Sequence, residues 1–123
     1  MLALLALSTL AVPRFEGITT DAGLNLANEA ACWIDFDRDG WTDLVCGGVA
    51  WRNLGGTNFV KHAEGLGTVV AADMDNDGYP DLFSWSTYKL FRSEKGKRFV
   101  EMPLPKIDPI TSRGACWGDF NND

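Results

Sequence analysis

The stretch Asp35-Phe36-Asp37-Arg38-Asp39-Gly40-Trp41-Thr42-Asp43 decides how this chain is read. It recurs as Asp73-Met74-Asp75-Asn76-Asp77-Gly78-Tyr79-Pro80-Asp81, and Asp119-Phe120-Asn121-Asn122-Asp123 begins it a third time. Of the 17 acidic residues in the chain, 10 stand in these stretches. Carboxylates crowded this closely repel one another, so a chain that repeats the arrangement implies a cation among them.

The spacing points to the kind of cation. Positions 1, 3 and 5 (Asp35, Asp37, Asp39; Asp73, Asp75, Asp77) turn their carboxylates toward one centre, and Gly40 or Gly78 permits the sharp bend that follows. The backbone carbonyl of Trp41 or Tyr79 and the carboxylate of Asp43 or Asp81 complete an oxygen shell. Hard oxygen donors on a flexible loop suit Ca²⁺ better than Mg²⁺, which demands a tighter octahedron and keeps more water. Two complete Ca²⁺ sites are therefore expected. An EF-hand would carry Glu at position 12, where this chain has Cys46 and Ser84. The plainer alternative is an acidic, solvated turn without metal.

The flanks Ala31-Cys32-Trp33-Ile34 and Leu44-Val45-Cys46 are short, apolar and β-prone, without helical periodicity, so the loops join strands. Trp51-Arg52-Asn53 and Phe91-Arg92-Ser93 follow the two loops at matching places. Gly55-Gly56 before Phe59-Val60, and Lys95-Gly96-Lys97 before Phe99-Val100, read as hairpin turns. Upstream, Arg14-Phe15-Glu16 matches Arg98-Phe99-Val100, and Ala22-Gly23-Leu24 matches Glu64-Gly65-Leu66. Successive loops begin 38 and 46 residues apart. A repeat near 40 residues with about four short strands is the size of one β-propeller blade.

The two D-x-D-x-D-G-x-x-D loops, the strands around them and Trp51-Arg52-Asn53…Gly55-Gly56…Phe59 resemble the FG-GAP/VCBS-type repeats of integrin α-subunit propellers and many secreted proteins. The Phe15…Ala22-Gly23-Leu24 stretch resembles the bacterial ASPIC/UnbV-associated, cartilage-acidic-type group in particular. The resemblance runs over about residues 14–123. It implies an all-β, incomplete β-propeller of about two and a half four-stranded blades with Ca²⁺-binding loops between strands. It also implies a role in adhesion or ligand binding outside the cytoplasm. The third loop lacks its Gly and last Asp, so no site is carried onto Asp119, Asn121 and Asp123. The Phe-Gly and Gly-Ala-Pro elements that name the family are degenerate here.

The chain divides accordingly. Residues 1–12, uncharged and apolar, resemble a signal-peptide core that lacks its basic leader; a strand is the alternative. Residues 13–30 read as the end of a preceding blade, 31–68 as the first repeat, 69–110 as the second and 111–123 as the start of a third. Two and a half blades leave open edges, which predicts further blades in a longer parent chain, or self-assembly into a ring.

Net charge of −6 and a pI near 4.6 argue against nucleic-acid or anionic-membrane partners, which need cationic surface. No apolar run reaches the ~20 residues of a membrane span. With one His and three unclustered Cys, zinc chemistry is not indicated. Cys32 and Cys116 share a repeat position with Val70, which reads as a small buried apolar slot; a Cys32–Cys46 disulfide is the alternative in an oxidising compartment. His62 reads as a surface residue, and Trp41 and Tyr79 as packing on a neighbouring strand rather than as sugar platforms. Glu16, Glu29, Glu64, Glu94 and Glu101 are scattered without a catalytic pattern.

The expectation is a non-catalytic, calcium-binding propeller segment. It would be secreted, periplasmic or at the cell surface, with a protein or glycan ligand. The alternatives are a fragment of a propeller-based polysaccharide lyase or hydrolase, since fold does not decide activity, and a purely structural calcium-braced spacer.

Overall fold

The computed structural model describes residues 16–24, 26, 30–106 and 113–118. The apolar start at 1–12, the Arg14-Phe15 match and the third acidic loop at 119–123 lie outside the described residues.

Eight short strands form two sheets. The first takes β1 (Ala31–Ile34), β2 (Asp43–Cys46), β3 (Val49–Asn53) and β4 (Phe59–Ala63). The second takes β5 (Val69–Ala72), β6 (Asp81–Ser84), β7 (Lys89–Ser93) and β8 (Phe99–Met102). Each sheet is an antiparallel meander in chain order, β1-β2-β3-β4 and β5-β6-β7-β8. The registers repeat: Ile34 pairs with Asp43 and Leu44 with Trp51 in one sheet, as Ala72 pairs with Asp81 and Leu82 with Phe91 in the other. Both acidic stretches therefore join the first two strands of a sheet, as expected.

The hairpins form where the glycines predict. Leu54 N–H donates to Asn58 O (2.7 Å) across the β3–β4 turn, and Glu94 N–H to Arg98 O (2.8 Å) across β7–β8. Gly55, Gly56 and Gly96 hold φ values of +78°, +90° and +69°, a region that costs other residues Cβ strain.

Period-2 alternation turns one row of each sheet toward the other. Val45 and Ala50 of the first sheet meet Val69, Leu82 and Phe91 of the second in one buried cluster. Phe36 and Leu66 join it from the connecting segments, and Cys32, Ile34, Ala63, Ala71 and Phe99 fill its margin. Burying side chains such as Phe36 and Leu82 completely stabilises by about 1.5–3 kcal/mol each. On the far face of the second sheet, Phe83 and Leu90 meet Ala115, Cys116 and Trp117, with the Phe83 and Trp117 rings edge-on at 6.3 Å. Residues 115–117 thus lie against the second sheet.

Three readings of single residues change. Cys32 pairs with Val45 and Cys46 with Ala31, so the two thiols point to opposite faces of the sheet and no disulfide joins them. The shared Cys slot is not uniformly buried either, because Cys116 is exposed. His62 is not a surface residue. It is half-buried between Phe36 and Phe99, with ring centroids at 4.6 and 6.1 Å, where the two sheets meet.

Candidate metal centre

Each acidic loop is folded by its own carboxylates. In the first, Asp39 N–H donates to Asp35 Oδ1 (3.2 Å) and to Asp37 Oδ1 (3.2 Å). Gly40 N–H donates to Asp35 Oδ2 (3.0 Å), and Trp41 N–H to Asp39 Oδ1 (2.9 Å). The second reproduces the pattern atom for atom. Asp77 N–H reaches Asp73 Oδ1 (3.1 Å) and Asp75 Oδ1 (3.3 Å), Gly78 N–H reaches Asp73 Oδ2 (2.8 Å), and Tyr79 N–H reaches Asp77 Oδ1 (2.8 Å). Position 4 is left-handed in both, with φ +62° at Arg38 and +60° at Asn76, and position 6 reaches +90° at Gly40 and Gly78. Asp and Asn side chains bonding their own backbone are what makes such tight turns.

The result brings Asp35, Asp37 and Asp39 together, and likewise Asp73, Asp75 and Asp77. In each group one oxygen per residue lies within 4.8 Å of the others. Donor chemistry is all hard oxygen, with no sulfur or imidazole, which fits Ca²⁺ or Mg²⁺ and disfavours zinc. Asp43 and Asp81 stand apart from these groups, at the heads of β2 and β6. Asp43 Oδ2 accepts from Phe36 N–H (3.0 Å) and Oδ1 from Asn53 N–H (2.8 Å). Asp81 Oδ2 accepts from Met74 N–H (3.1 Å) and Oδ1 from Ser93 N–H (2.7 Å). The ninth position thus straps the loop to the end of the third strand. Burial, with the nearby charges of Asp37 and Asp39 adding to it, pushes the Asp43 carboxyl up to about 6 against the pull of its two N–H donors. Asp81 is pushed up in the same way by burial, with Asp75 and Asp77 adding.

Residues 35–84 match the FG-GAP-like repeat family. The chain carries an FG-GAP-like repeat. The matched segment starts at the first loop aspartate and runs through the whole second loop. No curated relative and no solved structure matches the chain.

Within the FG-GAP-like repeat, the aromatic residues at position 7 part company. Trp41 lies over Gly56, where an added Cβ would stand 2.8 Å from the ring, so it packs on the β3–β4 turn of its own sheet. Tyr79 instead receives Arg38, whose guanidinium carbon lies 5.6 Å from the ring centroid. Arg38 belongs to the first loop, so the two loops are neighbours at one end of the paired sheets. Gly96 at the β7–β8 tip packs on Phe36 and Asp37, closing the first loop from the other side.

Sequence reasoning aligned Arg52, Asn53 and Ser93 without assigning them work. Asn53 Nδ2 donates to Thr42 O (2.9 Å), and its Oδ1 accepts from Gly56 N–H (2.8 Å), joining the loop's end to the hairpin turn. Ser93 Oγ accepts from Gly96 N–H (3.0 Å) in the second repeat. Arg52 reaches across to the first loop, pairing Nε with Asp37 Oδ2 and Nη2 with Asp39 Oδ2 (3.1 Å). The visible signal was their repeat position, two strands downstream of each loop.

Proposed function

We propose that this β-propeller-type repeat segment is a non-catalytic, calcium-braced scaffold that works outside the cytoplasm and presents a protein or glycan ligand surface. The observation that carries it is the pair of loops with matching hydrogen bonds, each bringing three carboxylates within 4.8 Å in a chain with an FG-GAP-like repeat. Asp35, Asp37 and Asp39, with Asp73, Asp75 and Asp77, supply the charge that holds Ca²⁺. Asp43 and Asp81, and the carbonyls of Trp41 and Tyr79, complete the donor set the spacing calls for. The ion's role is structural: it cancels carboxylate repulsion at a strand-to-strand turn.

Two further facts support the reading. Among the described residues, three acids outside the loops are engaged in surface ion pairs, Glu64 with Lys61 (2.9 Å), Glu94 with Arg98 (2.7 Å) and Glu101 with Lys89 (2.8 Å). No helix among the described residues is long and apolar enough to cross a membrane. A solvent-exposed loop with a Kd of ~10⁻⁴–10⁻³ M fills where calcium is millimolar, which is the extracellular condition.

Calcium titration by calorimetry on the full chain tests this. Two sites are expected, with Asp37→Ala and Asp75→Ala each abolishing one. Heatless titration of a demonstrably folded chain refutes the proposal and leaves the loops as solvated turns.

A further inference from the structure

Arg38 stands at position 4 of the first loop with φ +62°, and Asn76 holds the same place in the second with φ +60°. Asn tolerates the left-handed region because its short amide bonds to the local backbone. Arg has no such compensation, so an Arg there needs a contact elsewhere to offset the strain.

That contact lies in the second loop. The Arg38 guanidinium carbon is 5.6 Å from the centroid of the Tyr79 ring, and a Cβ added to Gly78 would run into Arg38 Nη1. The bare backbone of Gly78 thus leaves the guanidinium room to reach the ring. Acids crowd both loops, yet among the described residues Arg38 pairs with no carboxylate.

Both ends of the contact are held by hydrogen bonds of their own loops. Arg38 precedes Asp39, whose N–H is accepted by Asp35 and Asp37 (3.2 Å each). Gly78 N–H is accepted by Asp73 (2.8 Å) and Tyr79 N–H by Asp77 (2.8 Å). The base of the first loop is fixed as well, because Phe36 is completely buried in the cluster between the sheets and the Gly96 tip packs on Phe36 and Asp37. Opening either turn therefore moves one partner away from the other, while the sheets themselves stay together.

We propose that Arg38 is a strap from the first loop onto the second, so that loosening either loop loosens the other. Coupling of this kind is reciprocal and has the same size in both directions. The strap is made by the chain alone, so it goes beyond the calcium reading and does not rest on it.

The test is amide hydrogen exchange, followed by ¹⁵N–¹H NMR on the full chain in EDTA, which reads local opening loop by loop. Asp35→Ala removes one acceptor of Asp39 N–H and the acceptor of Gly40 N–H, and so loosens the first loop. The readout is in the second loop, at the Gly78 and Tyr79 amides. They are expected to exchange about two- to fivefold faster, the factor that an exposed cation–π contact supplies. In a chain that also carries Arg38→Met, which keeps an aliphatic stem, Asp35→Ala should accelerate them no further. Arg38→Lys, which keeps a cation, should retain part of the transmission. The reverse experiment, Asp73→Ala read at the Gly40 and Trp41 amides, should give the same factor and the same dependence on Arg38, and it serves if Asp35→Ala fails to fold. Gly78 and Tyr79 amides indifferent to Asp35→Ala, or accelerated by it equally with and without Arg38→Met, overturn the inference.

Discussion

Replacing Asp43 by alanine should destabilise the chain even when no metal can bind. The carboxylate is fully buried and accepts one N–H from the loop (Phe36, 3.0 Å) and one from the end of β3 (Asn53, 2.8 Å). A hydrogen bond to a charged group contributes about 1.5–3 kcal/mol, so the two together are worth roughly 3–6 kcal/mol gross. Against this, alanine removes a charge that burial disfavours and that Asp37 and Asp39 repel, the causes that together push the Asp43 carboxyl up to about 6. The net loss is expected at about 2–4 kcal/mol, or a fall in Tm on the order of 10 °C. The assay is urea unfolding at pH 7.5 in EDTA, followed by tryptophan fluorescence, and Asp81→Ala should behave alike because Met74 and Ser93 replace Phe36 and Asn53. Asp37→Ala is the control. It breaks the pairing with Arg52, whose side chain is 41% exposed, and one 3.2 Å bond from Asp39 N–H, which Asp35 still accepts, and it relieves repulsion, so it should change stability by less than about 1 kcal/mol. Equal effects of Asp43→Ala and Asp37→Ala in EDTA would refute the strap. Any further loss confined to calcium-containing buffer measures what the ninth position gives to the ion.

Two other outcomes follow from the packing. Gly96→Ala and Gly55→Ala both place a side chain at positive φ, but only at Gly96 would the new Cβ strike another segment, the backbone of Phe36 and Asp37. Gly55→Ala should cost about 1 kcal/mol and Gly96→Ala at least about 1 kcal/mol more, and equal costs in urea unfolding would show that the tip does not bear on the first loop. His62 is held below its ordinary value by burial, with Arg52 adding and Asp37 opposing. A base depressed in the folded state stabilises above its unfolded value of about 6.5, and that contribution is lost as pH falls through the folded one. Unfolding free energy should therefore drop below about pH 6.5 more steeply in the unaltered chain than in His62→Leu, and parallel profiles would contradict the burial argument.

Much of the fold was legible because the repeat wrote it twice. One acidic loop is an ambiguous turn, but two in register with the same Arg-Asn or Arg-Ser echo and the same glycine hairpin define a four-stranded unit. The convergence of Asp35, Asp37 and Asp39 was legible for the same local reason: side chains two residues apart on a loop bent at Gly40 have nowhere else to turn. His62 was misread because its neighbours Lys61 and Glu64 are polar, while what buries it, Phe99, comes from the other sheet, 37 residues away along the chain.

The sequence by itself determined the strands, the turns and the three-carboxylate groups, all of which depend on contacts within a few residues. Tertiary structure alone decided that the loops lie side by side with Arg38 reaching from one to the Tyr79 of the other. It alone decided that Gly96 closes on Asp37. These depend on how one sheet is set against the next, a relation between residues tens of positions apart. The hairpin of the second sheet pressed against the first loop is therefore a contact that no local pattern around Asp37 announces.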